Sequence, residues 1–91
     1  MDTERCEVHY AGRVQGVGFR YTVRQIAGGL NVTGFVRNRP DGTVQLVAEG
    51  SPKEVQRLLE DVRATMGNYI RSVQESRSPA TGEFQGFAIR W

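Results

Sequence analysis

The stretch SPKEVQRLLEDVRATMG, residues 51–67, constrains the fold more than any other part of the chain. Ser51 suits an N-cap, Pro52 suits the first helical position, and Glu54 stands where it completes a capping box. Val55, Leu58, Leu59, Val62 and Met66 then recur at helical spacing, and Gly67 supplies a stop. A helix with one apolar stripe must lay that stripe on a partner layer. With 91 residues, the chain reads as one domain, 1–91, so the partner lies within it.

The rest of the chain offers suitable partners. CEVHYAG alternates, with Cys6, Val8 and Tyr10 on one face and Glu7 and His9 on the other, the period of a strand. Phe19, Val23, Ile26, Ala27 and Leu30 form a second helical stripe, with Gly28 and Gly29 as its stop. NVTGFVRN reads as a strand, RPDG at 39–42 as a turn, and TVQLVAEG as the returning strand of a hairpin. YIRSVQES is a weaker strand and RSPATGE, residues 77–83, an exposed loop. FQGFAIRW closes the chain as a strand with Phe87, Ile89 and Trp91 on one face. The order is β-α-β-β-α-β with one extra terminal strand. It predicts an α+β, ferredoxin-like sandwich, an antiparallel sheet with both helices on one face and an extra C-terminal strand.

Composition narrows the function classes. The single cysteine, Cys6, excludes an internal disulfide and fits a reducing compartment, most simply the cytoplasm. Cys6 reads as a small apolar core residue. One Cys and one His, His9, do not make a metal site of soft donors. His9 reads as a sheet-face or surface residue. Twelve basic against ten acidic side chains leave a net charge of +2, too mild to argue for nucleic acid. No segment approaches the ~18 apolar residues of a membrane helix. The start, MDTERCE, lacks the apolar run of a signal peptide. No residual apolar stripe stands out, so a monomer is expected.

GRVQGVGFR, residues 12–20, carries three glycines and two arginines without an acid. It lies between the first strand and the first helix, where helix N–H groups have no internal partner. Gly12, Gly16 and Gly18 permit a tight curl in which successive N–H groups converge as an anion nest. Arg20, at the helix start, carries a planar fork that fits two oxygens of one phosphate. Residue chemistry alone admits a second reading equally well, a plain glycine turn followed by a solvated arginine. The Walker pattern is absent, and after Gly16 and Gly18 position 21 is Tyr rather than Gly, so neither nucleotide-binding fingerprint is met.

The stretch resembles the acylphosphatase signature G-x-V-Q-G-V-x-F-R. A second stretch, GFVRNRPDGTVQLVAEG at 34–50, resembles that family's other signature. The likeness extends to the capped helix and the F-x-I-R ending, nearly the whole chain. Phe35 stands where many members carry Trp, and both fit an apolar slot. The resemblance implies hydrolysis of acyl phosphates to a carboxylate and inorganic phosphate, with no cofactor and no metal. It implies that phosphate is bound by Arg20 and by the loop Arg13, Val14, Gln15, Gly16, Val17, Gly18 and Phe19. It implies that Asn38 places the attacking water.

The residue inventory suits that chemistry. A carboxylate leaving group, of parent pKa about 4, departs without a general acid, so the loop needs no acidic or His partner. Asn38 cannot act as a base, and its amide can only hold the water. Thr43, read as lying opposite Asn38 across the 39–42 turn, is a candidate to orient that amide, or simply a β-branched residue opening a strand. Arg13, Arg37 and Arg39 either add positive field near the mouth or are solvated. Two rivals stand beside this reading. A nucleic-acid-binding domain of the same plan would show an RNP1 pattern, which TGFVRN lacks. A non-catalytic domain of this type, as in larger carbamoyl-handling proteins, is disfavoured because Arg20 and Asn38 are both present. The acyl group itself is not legible.

Overall fold

A computed structural model describes residues 2–91. In chain order the elements are β1 (Glu4–Gly12), α1 (Phe19–Gly28), β2 (Val32–Asn38), β3 (Val44–Gly50), α2 (Pro52–Met66), a 3-10 turn (Gly67–Tyr69), β4 (Ile70–Pro79) and β5 (Phe87–Arg90). The five strands form one sheet in the order β4-β1-β3-β2-β5. The β4–β1, β1–β3 and β3–β2 pairs are antiparallel. The extra strand β5 runs parallel to β2, so the sheet is mixed rather than wholly antiparallel. The physical reason is the long 80–86 connection, which lets the chain re-enter at the far edge in the direction of β2.

Strand alternation sorts the side chains between two faces. Cys6, Val8 and Tyr10 of β1, Val32 and Val36 of β2, and Val44, Leu46 and Ala48 of β3 share a buried cluster with both helix stripes. Val23 and Ala27 come from α1, and Val55, Leu58, Val62 and Met66 from α2. Both helices therefore cover one face. Each buried Val or Leu contributes roughly 1.5–3 kcal/mol through apolar area removed from water. Burial pushes the Cys6 thiol up to about 11, so it packs as an apolar group.

The cap of α2 differs in one detail from the expected box. Ser51 Oγ accepts from the Glu54 N–H at 3.3 Å, but the Glu54 carboxylate accepts from the Asn31 N–H at 2.9 Å. Glu54 thus ties α2 to the entry of β2 instead of closing its own cap. Gly67 stays right-handed and continues into the 3-10 turn rather than stopping the helix in a left-handed conformation.

The other face of the sheet is not bare. Of the segment expected as an exposed loop, 77–83, residues 77–79 instead extend β4 to Pro79, while the segment stays largely exposed. Phe84, expected in the last strand, lies edge-on to Phe35 at 5.8 Å. Glu49, on the same face and only 4% exposed, accepts hydrogen bonds from the N–H groups of Thr81 and Gly82 and from the Thr81 hydroxyl. Arg5 completes the shell at 3.3 Å. Desolvation opposes the charge on Glu49, but these donors outweigh it and hold its carboxyl below the usual range.

Candidate active site

Segment 13–18 leaves β1 and enters α1 under restraint at its edges. The Arg13 N–H donates to the Tyr69 carbonyl at 2.9 Å, and Val14 is fully buried. Phe19 is sealed against Tyr10, ring centroids 5.1 Å apart. Val17 packs on the core from the same loop. Between these anchors Gly16 and Gly18 take φ of 78° and 79°, left-handed values that L side chains rarely adopt. Added Cβ atoms would meet nothing within 4 Å at either position, so conformation rather than space requires glycine there. Among the described residues, the backbone N–H groups of 14–18 donate to no protein acceptor. Gly18 caps α1 through its carbonyl, which accepts from Thr22 at 3.0 Å, and no side chain caps the helix.

Arg20 sits in the first turn of α1, half-buried, and forms no ion pair among the described residues. Its guanidinium lies 4.2 Å from the centre of the Trp91 ring. An aromatic face orients the fork without occupying its N–H donors or neutralising its charge. Asn38 ends β2 on the helix-facing side. Its Oδ1 is buried with no hydrogen-bond partner in the protein. A buried acceptor without a donor costs about 1–3 kcal/mol, so its retention calls for a physical reason. The parallel register pairs Arg37 with Arg90. Continued by one residue, it sets Trp91 beside Asn38.

These parts meet in one cavity of about 180 Å³. Val14, Gly16 and Gly18 line it from the loop, Phe19, Arg20 and Tyr21 from the helix start, and Asn38 from β2. A larger cleft of about 460 Å³ lies around Glu49 and the 80–82 segment, where the donors already face a carboxylate. Among the described residues no group of three His, Cys, Asp or Glu side chains is placed to hold a metal ion.

One expected position changes. Thr43 does not reach Asn38. Asn38 lies opposite Val44, and Thr43 instead pairs with Arg39, whose N–H donates to its carbonyl at 2.8 Å. The Thr43 hydroxyl and N–H both donate to Asp41, at 2.6 and 3.0 Å, closing the turn and holding the Asp41 carboxyl below its ordinary value. The side chain that touches the turn from the loop is Gln15. Its Nε2 donates to the carbonyls of Arg39 and Thr43 at 2.8 and 3.0 Å, strapping loop and hairpin together. Nothing local in the sequence marks that contact, which spans 24 and 28 residues.

The remaining arginines divide. Arg37 donates to Gln45 at 2.6 Å and Arg39 to His9 at 3.0 Å, both on the sheet face away from the helices. The Arg13 side chain is exposed. His9 also contacts Glu7 at 2.8 Å, a hydrogen bond that lowers the Glu7 carboxyl.

Known proteins resolve the affiliation. The acylphosphatase family model matches residues 6–89. An acylphosphatase of Nocardia farcinica is 42% identical over 90 residues, 98% of this chain and 90% of that one. An acylphosphatase of Salinibacter ruber is 41% identical over 88 residues, 96% of this chain and 93% of that one. The crystal structure of acylphosphatase from Bacillus subtilis superposes with a TM-score of 0.87 at 31% identity, covering 97% and 99% of the two chains. A family model over nearly the whole chain, relatives above 40% identity and a shared fold agree, and the chain belongs to the acylphosphatase family.

Proposed function

We propose that this acylphosphatase holds the phosphate of its substrate with Arg20 and the N–H groups of the 13–19 loop, and holds the attacking water with Asn38. The reaction is hydrolysis of the carboxyl–phosphate bond of an acyl phosphate to a carboxylate and inorganic phosphate. One observation carries the assignment of roles. Val14, Gly16 and Gly18 of the loop with unpartnered N–H groups, Arg20 without an ion pair among the described residues, and Asn38 with its buried unpartnered Oδ1 all line one small cavity.

The steps follow from the chemistry of those groups. The loop dipoles and Arg20 are fixed before substrate arrives, so they stabilise charge on the equatorial oxygens of a loose transition state without reorganising. Asn38 Oδ1 accepts a hydrogen bond from water and turns an oxygen lone pair toward phosphorus. The P–O bond to the acyl group breaks as the new P–O bond forms, and the carboxylate leaves with the electron pair. The proton lost by water passes to a phosphate oxygen of the substrate itself. A pH-rate profile showing an essential enzyme base would exclude that last step.

The role of Asn38 is tested by Asn38→Ala. Turnover of benzoyl phosphate should fall about 100-fold, the effect of losing one positioned polar group at the reacting centre. Competitive inhibition by phosphate should stay within twofold of the parent value. Full turnover in Asn38→Ala would end the water-placing assignment. We also read the chain as a cytoplasmic monomer, on the strength of its lone buried cysteine and the absence of a residual apolar stripe in the sequence. Equilibrium sedimentation at a dimer mass would overturn the oligomeric part.

A further inference from the structure

We infer that Tyr21 and Trp91 form the subsite for the acyl group, and that the chain favours acyl phosphates whose acyl part is a flat apolar ring. This rests on the proposed placement of water at Asn38. In an in-line displacement the leaving oxygen lies opposite the attacking one. Asn38 lines the cavity from β2 and its Oδ1 is buried, so a water taken up there with substrate attacks from the inner side. The acyl oxygen then points to the mouth of the cavity, and the acyl group lies across its rim.

The rim is simple. Of the residues lining the cavity, Gly16, Gly18 and Tyr21 are exposed. Two of these have no side chain, so among the described lining residues Tyr21, 52% exposed, presents the most exposed side chain. Trp91 stands against it, edge to face, with ring centroids 6.4 Å apart at 63°. One side of the indole carries Arg20, and the residue as a whole is 81% exposed, which leaves apolar ring surface open to solvent. Four large hydrophobic residues are exposed among those described, and two of them meet at this mouth.

Trp91 is placed there by its neighbour. Arg90 stacks on Phe35 at 4.0 Å on the far face of the sheet. Strand alternation then turns Trp91 to the helix side, over the first turn of α1. Exposed rings stabilise little on their own. A planar acyl group laid against them removes apolar area from water on both partners. A compact acetyl group reaches neither ring well. The one other charge recorded at the rings is Arg24, whose guanidinium lies 5.6 Å from the Tyr21 centre, so an acyl group bearing a carboxylate is the competing occupant.

The experiment compares kcat/KM for benzoyl, acetyl and succinyl phosphate in the parent chain, Tyr21→Ala, Trp91→Ala, the double variant and Trp91→Phe. Differences in leaving-group acidity, and any common effect of Trp91 on Arg20, cancel when one substrate ratio is followed across variants. The benzoyl-to-acetyl ratio should fall about tenfold in the double variant, the scale of losing aromatic contacts. Trp91→Phe keeps a ring and should retain most of the ratio, which also guards against a folding defect. An unchanged ratio in active Tyr21→Ala and Trp91→Ala overturns the subsite and leaves Trp91 acting on Arg20 alone. Succinyl phosphate preferred over benzoyl phosphate in the parent chain also overturns it. A parent chain that hydrolyses all three but loses nothing on Asn38→Ala instead removes the water placement on which the subsite rests, so the two failures are separable.

Discussion

The segments 13–18 and 80–86 are both irregular and both turn on glycines with positive φ, Gly16 and Gly18 in the first, Gly82 and Gly86 in the second. Both carry backbone N–H groups that make no backbone hydrogen bond. In the second, the anion is internal: Glu49 receives the N–H groups of Thr81 and Gly82. In the first, among the described residues, Arg20 has no ion pair and the N–H groups of 14–18 have no protein acceptor. The same donor chemistry is a fastening where the protein supplies the anion and, in the proposed role, a binding site where it does not. Mutations should therefore separate cleanly, with function lost at one loop and stability at the other.

The largest expected effect is functional. Arg20→Ala removes a charge-assisted contact to a desolvated phosphate, a loss of several kcal/mol, so kcat/KM should drop at least ~1000-fold. Arg20→Lys should fall nearly as far, because a point charge cannot reproduce the fork. The thermal midpoint of both should stay within about 3 °C, since Arg20 holds no salt bridge. An inactive variant with a strongly lowered midpoint would blur the division between the two loops.

Glu49→Ala is the mirror experiment. It leaves two N–H groups, a hydroxyl and Arg5 facing an apolar methyl. Breaking such a shell costs about 2–4 kcal/mol, or roughly 8–30 °C in midpoint for a domain of this size. Below that midpoint kcat should change less than threefold. Wild-type stability in Glu49→Ala would show that the 80–86 segment is held by Phe84 and Phe35 alone.

Gln15 tests whether the first loop works alone or through the hairpin it grips. Gln15→Glu places a carboxylate against two carbonyl oxygens, Gln15→Ala removes the strap, and Gln15→Lys restores a donor. Turnover should fall roughly tenfold in the Glu variant, less in Ala and least in Lys, the scale of one or two hydrogen bonds. Phosphate inhibition should shift less than turnover, because the strap acts on the Asn38 side. Equal losses in Glu and Lys would assign Gln15 no such part.

What could be read in the sequence was what local pattern encodes. Both helices follow from stripes of five apolar residues, and the hairpin follows from Pro40, Asp41 and Gly42. The glycine loop, Arg20 and Asn38 stand out because each belongs to a contiguous motif, and the fold brings them to one cavity. Contacts between distant segments were not legible. Residues 77–83 read as polar loop because their anchor, Glu49, lies more than thirty residues away. Thr43 was assigned to Asn38 by counting a four-residue turn, whereas the hairpin closes at Arg39 and Thr43 and turns that hydroxyl toward Asp41. Trp91 read as one more strand residue, since nothing in FAIRW says that Arg90 will stack on Phe35 and send the indole over Arg20.

The smallest expected effect sharpens the internal half of the comparison. Glu49 has a carboxyl held below its ordinary value in the folded chain. A depressed folded pKa means that the unfolded state binds the proton more readily. The corresponding stability is complete above the unfolded value, about 4.3, and is lost as pH falls through the lower folded value. Glu7, lowered by its hydrogen bond from His9, adds a slope of the same sign. Chemical denaturation of the parent chain and of Glu49→Gln between pH 6 and 2 isolates the Glu49 part as a difference. The variant should start less stable at pH 6, and the gap should narrow toward pH 2 by an amount on the order of 1 kcal/mol. A constant gap across that range would mean that the Thr81 and Gly82 donors hold the neutral acid as well as the carboxylate. The 80–86 segment would then lack the anion dependence that sets the two loops side by side.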